Sequence, residues 1–288
     1  MTNLNRSTPT PPTAGEPSYQ FTTIDGKQLA YIDQGQGMPL LLGHSYLWDA
    51  TMWQPQIDAL SRHFRVIVPD LWGHGRSDSP PGGTESLHDL ARHHLALLDT
   101  LSIDACHVVG LSVGGMWGVA MKQLAPERVR KLVLMDTYLG PEPAPSQVQY
   151  LALLRQIDVD GALSAALLDM VVPMFFSPHT DPASPLCQAF RASLAALPAG
   201  RIKDSIVPLG RLIFTRPDLR PVLADLNADT TLVMVGENDI PRPVREAAEM
   251  AALIGCPLRT IVNAGHISNL ENPQSVTIAL RDFLLSGH

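Results

Sequence analysis

Gly110-Leu111-Ser112-Val113-Gly114 decides how the chain is read. The apolar run Ala105-Cys106-His107-Val108-Val109 precedes it, and a helix-like stretch, residues 116–124, follows. A G-x-S-x-G pattern in that setting is a nucleophile elbow: a strand ends, a sharp turn carries the serine, and a helix begins at once. Gly110 and Gly114 have no side chains, so strand and helix can approach closely. The spacing predicts a strained Ser112 at the tip of the turn, its hydroxyl beside the positive end of a helix dipole.

Outward from the elbow, the pattern is that of an α/β protein. Residues 19–23 and 28–33 flank Asp25-Gly26, a hairpin signal. Residues 39–43 and 65–69 are continuous apolar runs, as buried parallel strands show. Helical spacing marks 52–61 and 86–101, the latter with Leu87, Leu90, Leu95 and Leu98 on one side. Residues 129–135 read as a further strand. Two antiparallel strands followed by alternating strand and helix predict an α/β fold, a mostly parallel sheet with helices on both faces.

The alternation stops after Asp136. Residues 138–215 are rich in Ala, Leu, Met and Pro, with helical patterns broken at 141–145 and 177–182. Strand and helix return at 231–235, 244–253, 258–262 and 273–285. The expectation is a core of residues 19–137 and 216–288 and a helical cap of residues 138–215. Such an insertion would lie over the carboxyl ends of the strands, where parallel sheets bind ligands. Residues 1–18 read as a flexible tail, neither a signal peptide nor a membrane helix.

The 288 residues are 45% hydrophobic, enough for a large core without disulfides or metals. A net charge of −7 argues against nucleic acid or an anionic membrane as a partner. Cys106, Cys187 and Cys256 form no CxxC pair. That speaks against zinc and for a reducing, cytoplasmic compartment. No run approaches the length of a bilayer span.

A serine hydroxyl needs a base, and the base needs an orienting acid. Chains with such an elbow order the groups Ser, acid, His. Asn263-Ala264-Gly265-His266 follows a predicted strand, and Val235-Gly236-Glu237-Asn238-Asp239 follows another. His266 and Asp239 are the candidates, with Glu237 and Asp136 as rival acids. Of the ten histidines, His88, His93 and His94 are expected to be solvated, with a satisfied structural role as the alternative for His94. The oxyanion requires two donors: the Val113 amide, and the Tyr46 amide in the loop after the early buried strand. Asp70 to Asp78 lacks phosphate-loop spacing and reads as a structural turn. Met170, Met174, Phe175 and Phe176 are candidates for an apolar pocket wall or for the insertion's own core.

Together these motifs resemble the α/β-hydrolase superfamily from about Tyr19 onward. The resemblance rests on the loop at His44, the D-x-x-G-H-G-x-S-D turn at Asp70, the elbow at Ser112, the stretch Gly236 to Pro243, and Gly265-His266. It implies a triad of Ser112, Asp239 and His266 and an oxyanion hole at Tyr46 and Val113. Gly110 to Met116, Ala125-Pro126-Glu127-Arg128-Val129 and His266 to Pro273 look like 3-oxoadipate enol-lactonases and their esterase and perhydrolase relatives. Ser45 resembles the lactonase pattern and His44 the esterase pattern. The implied activity is cleavage of a small-molecule carboxylic ester or lactone, with no cofactor and no metal. Hydrolysis of a carbon–carbon bond in a diketone, or ligand reception without turnover, are the alternatives. The sequence leaves the acyl and alcohol parts and the oligomeric state open.

Overall fold

Strand β5 (Cys106–Leu111) has all of its residues buried, which a strand covered on both faces requires of its sequence. It lies inside a sheet formed with β1 (Tyr19–Ile24), β2 (Lys27–Gln34), β3 (Met38–Gly43), β4 (Phe64–Pro69), β6 (Val129–Met135), β7 (Thr231–Gly236) and β8 (Leu258–Ile261). The computed structural model describes residues 18–287, so the expected tail lies almost wholly outside the described residues. The eight strands run in the order β1-β2-β4-β3-β5-β6-β7-β8. β1 with β2 and β2 with β4 are antiparallel; the remaining neighbours are parallel.

In the first half of the chain, helices α1 (Gln54–Leu60), α2 (Leu87–Thr100) and α3 (Val113–Leu124) alternate with the strands. The predicted helix at 52–61 forms as a 3₁₀ turn, Ala50–Trp53, running into α1. Ser86 caps α2 by accepting from the Asp89 amide at 3.2 Å, and Asp89 Oδ2 accepts from the Ser86 hydroxyl at 2.7 Å. This reciprocal pair fixes where the helix begins.

His93 and His94 on α2 are buried, which corrects the expectation that they are solvated and, for His94, agrees with the structural role held as its alternative. His94 stacks on Trp117 of α3 at 3.9 Å, and its Nδ1 donates to the Leu90 carbonyl at 2.6 Å. His93 Nδ1 accepts from the Trp72 indole at 3.0 Å. Each ring has an apolar face for packing and a protein partner for its nitrogen, so burial leaves no orphan. His88 stays half-exposed.

Between β6 and β7 lie α4 (Ala144–Asp160), α5 (Ala165–Val171), α6 (Pro185–Ala195), α7 (Ala199–Arg201) and α8 (Val207–Phe214). A π-helical turn, Ile202–Ile206, joins α7 to α8. Beyond β7 come α9 (Val244–Ile254), α10 (Ser268–Glu271) and α11 (Pro273–Leu285). α1 packs on α11, and α2 on α3, giving a helical layer on either side of the sheet. Among the described residues no helix is long and apolar enough to cross a membrane.

The Asp70 segment is a structural turn. Asp70 Oδ1 accepts from the Ala50 amide at 2.7 Å and Oδ2 from the Arg76 amide at 2.8 Å. The Ser77 hydroxyl donates to the Asp70 carbonyl at 2.8 Å and accepts from the Ala30 amide on β2. The turn therefore braces the end of β4 against β2.

Candidate active site

The β5–α3 junction places Ser112 at φ 57° and ψ −119°, a left-handed conformation that a residue with a side chain adopts only under constraint. Constraint comes from both sides of the residue. The Ser112 amide donates to the Met135 carbonyl at 2.9 Å. The Ser112 carbonyl accepts from Thr137 Oγ1 at 2.7 Å and from the Gly115 amide at 3.0 Å. A Cβ on Gly110 would overlap the Gly114 carbonyl, so the tight approach of strand to helix needs glycine there.

Asp239 and His266 sit in the loops after β7 and β8, and the structure brings them together. His266 Nδ1 lies 2.9 Å from Asp239 Oδ2. A carboxylate only accepts, so Nδ1 carries the proton and Nε2 is the basic nitrogen. The Arg242 amide donates to Asp239 Oδ1 at 2.9 Å, which holds the carboxylate from the other side. Glu271 fixes the histidine loop. Its Oε2 accepts from the Gly265 amide at 2.6 Å, and its Oε1 accepts from the Ser177 amide of the helical insertion at 2.9 Å.

The rival acids are engaged elsewhere. Asp136 Oδ1 accepts from the Gly236 amide at 2.7 Å and Oδ2 from the Ser268 hydroxyl at 2.5 Å. Burial, with nearby Asp239 adding repulsion, pushes the Asp136 carboxyl well above its ordinary range. Glu237 Oε2 accepts from the Asn263 amide at 3.1 Å.

The loop that carries Tyr46 is held by two neutral histidines. His44 Nδ1 donates to the Ser45 carbonyl at 2.8 Å, while its Nε2 accepts from the Leu71 amide at 2.7 Å. His74 Nδ1 donates to the Trp72 carbonyl at 2.9 Å, and its Nε2 accepts from the Leu47 amide at 3.1 Å. Burial drives both pKa values down, that of His74 to about 3. Protonation of either acceptor nitrogen would remove an acceptor that the loop uses. The Tyr46 hydroxyl donates to the Ile206 carbonyl at 2.6 Å. It thereby satisfies a carbonyl of the π-helical turn and ties the loop to the insertion.

Ser112 and His266 line one cavity of about 110 Å³ together with Ser45, Tyr46 and Leu47. The rest of its wall is mostly apolar. Leu153, Leu154 and Ile157 come from α4, Leu167 and Val171 from α5, and Ile213 and Phe214 from α8. Of the four candidate wall residues, Met174 and Phe175 line it and the other two do not. Met170 is 49% exposed, and Phe176 packs beside Trp48 and Phe190. Among the described residues no cluster of His, Cys, Asp and Glu is arranged to hold a metal ion.

Sequence reading missed Glu271 and Arg242. Glu271 lies in the stretch His266 to Pro273, whose motif was visible although the role of the glutamate was not. Arg242 gave no signal, since its partner Glu142 lies 100 residues away.

A mostly parallel sheet with a serine on a strained strand–helix turn, and an Asp–His pair at later strand ends, defines an α/β hydrolase. The profile of the alpha/beta hydrolase fold family matches residues 38–164. A solved structure of a hydrolase from Pseudomonas aeruginosa PA01 is 32% identical, with a TM-score of 0.78 over 95% of this chain and 100% of that one. A thermophilic esterase from Thermogutta terrifontis is 28% identical, with a TM-score of 0.81 over 93% and 98% of the two chains. 3-Oxoadipate enol-lactonase 1 of Acinetobacter baylyi is 26% identical over 272 residues, 93% of this chain and 97% of that protein. The chain belongs to the α/β-hydrolase superfamily.

Proposed function

We propose that the protein is a serine hydrolase that cleaves a carboxylic ester or lactone through an acyl-enzyme. The observation that carries the reading is the 2.9 Å contact of His266 with Asp239, beside a cavity that Ser112 also lines. In this reading Ser112 Oγ attacks the carbonyl carbon while His266 Nε2 takes its proton. Asp239 holds the ring and stabilises the imidazolium that forms. The amides of Tyr46 and Val113 donate to the oxyanion. His266 returns the proton to the leaving alkoxide. It then takes a proton from water, which attacks the acyl carbon, and hands that proton to Ser112 Oγ as the acyl–oxygen bond breaks, releasing the acid and restoring the serine. No step calls for a metal or cofactor.

The helices between β6 and β7 act as a cap that shapes the substrate, since α4, α5 and α8 supply most of the apolar wall. We take the cap as residues 138–215 and the core as 19–137 and 216–288. The three free cysteines fit a reducing compartment, and we place the protein in the cytoplasm.

A fluorophosphonate probe tests the assignment. It should label Ser112, and Ser112→Ala should lose labelling and lower kcat toward p-nitrophenyl esters by about three orders of magnitude or more. Labelling at another residue, or turnover retained in the variant, would remove Ser112 from the mechanism.

A further inference from the structure

Among the described residues that line the cavity, Arg242 is the one permanent cation, and both of its terminal nitrogens already donate to carboxylates. Arg242 Nη2 donates to both oxygens of Glu142, at 2.6 and 2.5 Å, and Nη1 to Glu246 Oε2 at 3.3 Å. A second guanidinium joins them. Arg216 Nη1 donates to Glu142 Oε2 at 3.0 Å and to the Ile213 carbonyl at 2.9 Å. Two guanidinium groups and two carboxylates form a cluster without net charge, and the side chains of Arg216 and Glu142 are 0% and 1% exposed. Glu142 precedes α4, Arg216 follows α8, Arg242 lies in the loop just before α9 and Glu246 in the first turn of that helix, so the cluster joins the insertion to the acid loop.

An arginine recognises a carboxylate through its paired N–H donors. Here that surface faces Glu142. A carboxylate entering an apolar cavity gives up its hydration, and nothing restores the loss unless a free cation meets it. We propose that Glu142 and Glu246 neutralise Arg242, so that the site selects uncharged acyl groups and rejects esters and lactones that carry a free carboxylate. This rests on the reading of Ser112 as the nucleophile in this cavity. The enol-lactonase relative is named for an adipate derivative, which as an enol-lactone keeps a free carboxylate. That kind of substrate falls on the rejected side here.

Two esters of equal acyl length test the proposal: p-nitrophenyl hexanoate and p-nitrophenyl hydrogen adipate. The wild-type protein should favour the hexanoate in kcat/KM by about 100-fold or more, the penalty for an unpaired buried carboxylate. Glu142→Gln releases the Nη donors of Arg242 and should shrink that preference about 10-fold, chiefly by gain on the adipate ester. Glu246→Gln should shift the ratio the same way by less, and it serves if Glu142→Gln does not fold. A wild-type ratio near one, or a preference unchanged in the folded variants, overturns the proposal. If the wild-type protein neither turns over the hexanoate nor takes the fluorophosphonate, it is the serine-hydrolase reading that falls.

Discussion

Ser112 holds a backbone conformation that disfavours a residue with a side chain by about 1–3 kcal/mol. Its amide and carbonyl are both bonded, to Met135, Thr137 and Gly115, and these bonds keep it there. Asp239 and Asp136 show how two buried acids at adjacent strand ends take different work. Asp239 touches the His266 ring; Asp136 touches Gly236 and Ser268. Asp239→Asn should therefore lower kcat by about 10⁴, because an amide presents the wrong hydrogen-bonding pattern to Nδ1. Asp136→Asn should act on stability more than on kcat. Steady-state kinetics of the two variants decide the matter, and a larger loss of kcat in Asp136→Asn would move the acid to β6. The positions of Ser112, Asp239 and His266 at strand ends, and so the proposed triad, could be read from the sequence because each follows a strand pattern. The burial of His93 was not legible, and that of His94 only as an alternative, since a histidine on a polar-looking helix gives no sign of the Trp72 and Trp117 rings that meet it.

At the scale of elements, the cavity wall belongs mainly to α4, α5 with the turn that follows it, and α8. Met174→Ala and Leu167→Ala should change the preference between short and bulky esters by about 1–3 kcal/mol in kcat/KM, the range for lost apolar contacts. Labelling of Ser112 by a small phosphonate should persist. Met170→Ala, at an exposed position in the same segment, is the control and should change nothing. Loss of labelling in a folded Met174→Ala protein would mean that the insertion supports the catalytic groups directly. The inner strands of the sheet were legible as apolar runs and the first two from the turn at Asp25-Gly26, and α11 was legible to its bounds, residues 273–285. Inside the insertion the pattern failed to say which apolar residues face the cavity. Met170, Met174, Phe175 and Phe176 are alike in type, and only the break from α5 into a 3₁₀ turn, Val172–Phe175, separates them.

The whole molecule keeps His44, His74 and His94 buried, and burial lowers each pKa, to about 3 for His74 and for His94. The unfolded chain binds these protons near pH 6.5 and the folded chain does not, so this stabilisation is full above about pH 6.5 and declines as the pH falls toward 3. Asp70, raised to about 7 by burial, acts in the opposite sense: its contribution is lost as the pH rises through that value. The clean readout is therefore a difference between proteins. In urea titrations, the stability gap between wild type and His94→Gln should narrow by about 1.4 kcal/mol per pH unit between pH 6 and 4. A gap that stays constant over that interval would mean that His94 titrates normally. The strand order has a consequence for how such a protein comes into being. Ser112 leaves the interior strand β5, whereas His266 follows β8 at the far edge of the sheet. During synthesis the elbow emerges more than a hundred residues ahead of its proposed base. If His266 is the base, a nascent chain folded only as far as β6 carries an inert hydroxyl, and the chemistry switches on when the last strand docks. On the proposed triad, the rate at which a refolding chain becomes reactive toward phosphonates is a clock for that docking.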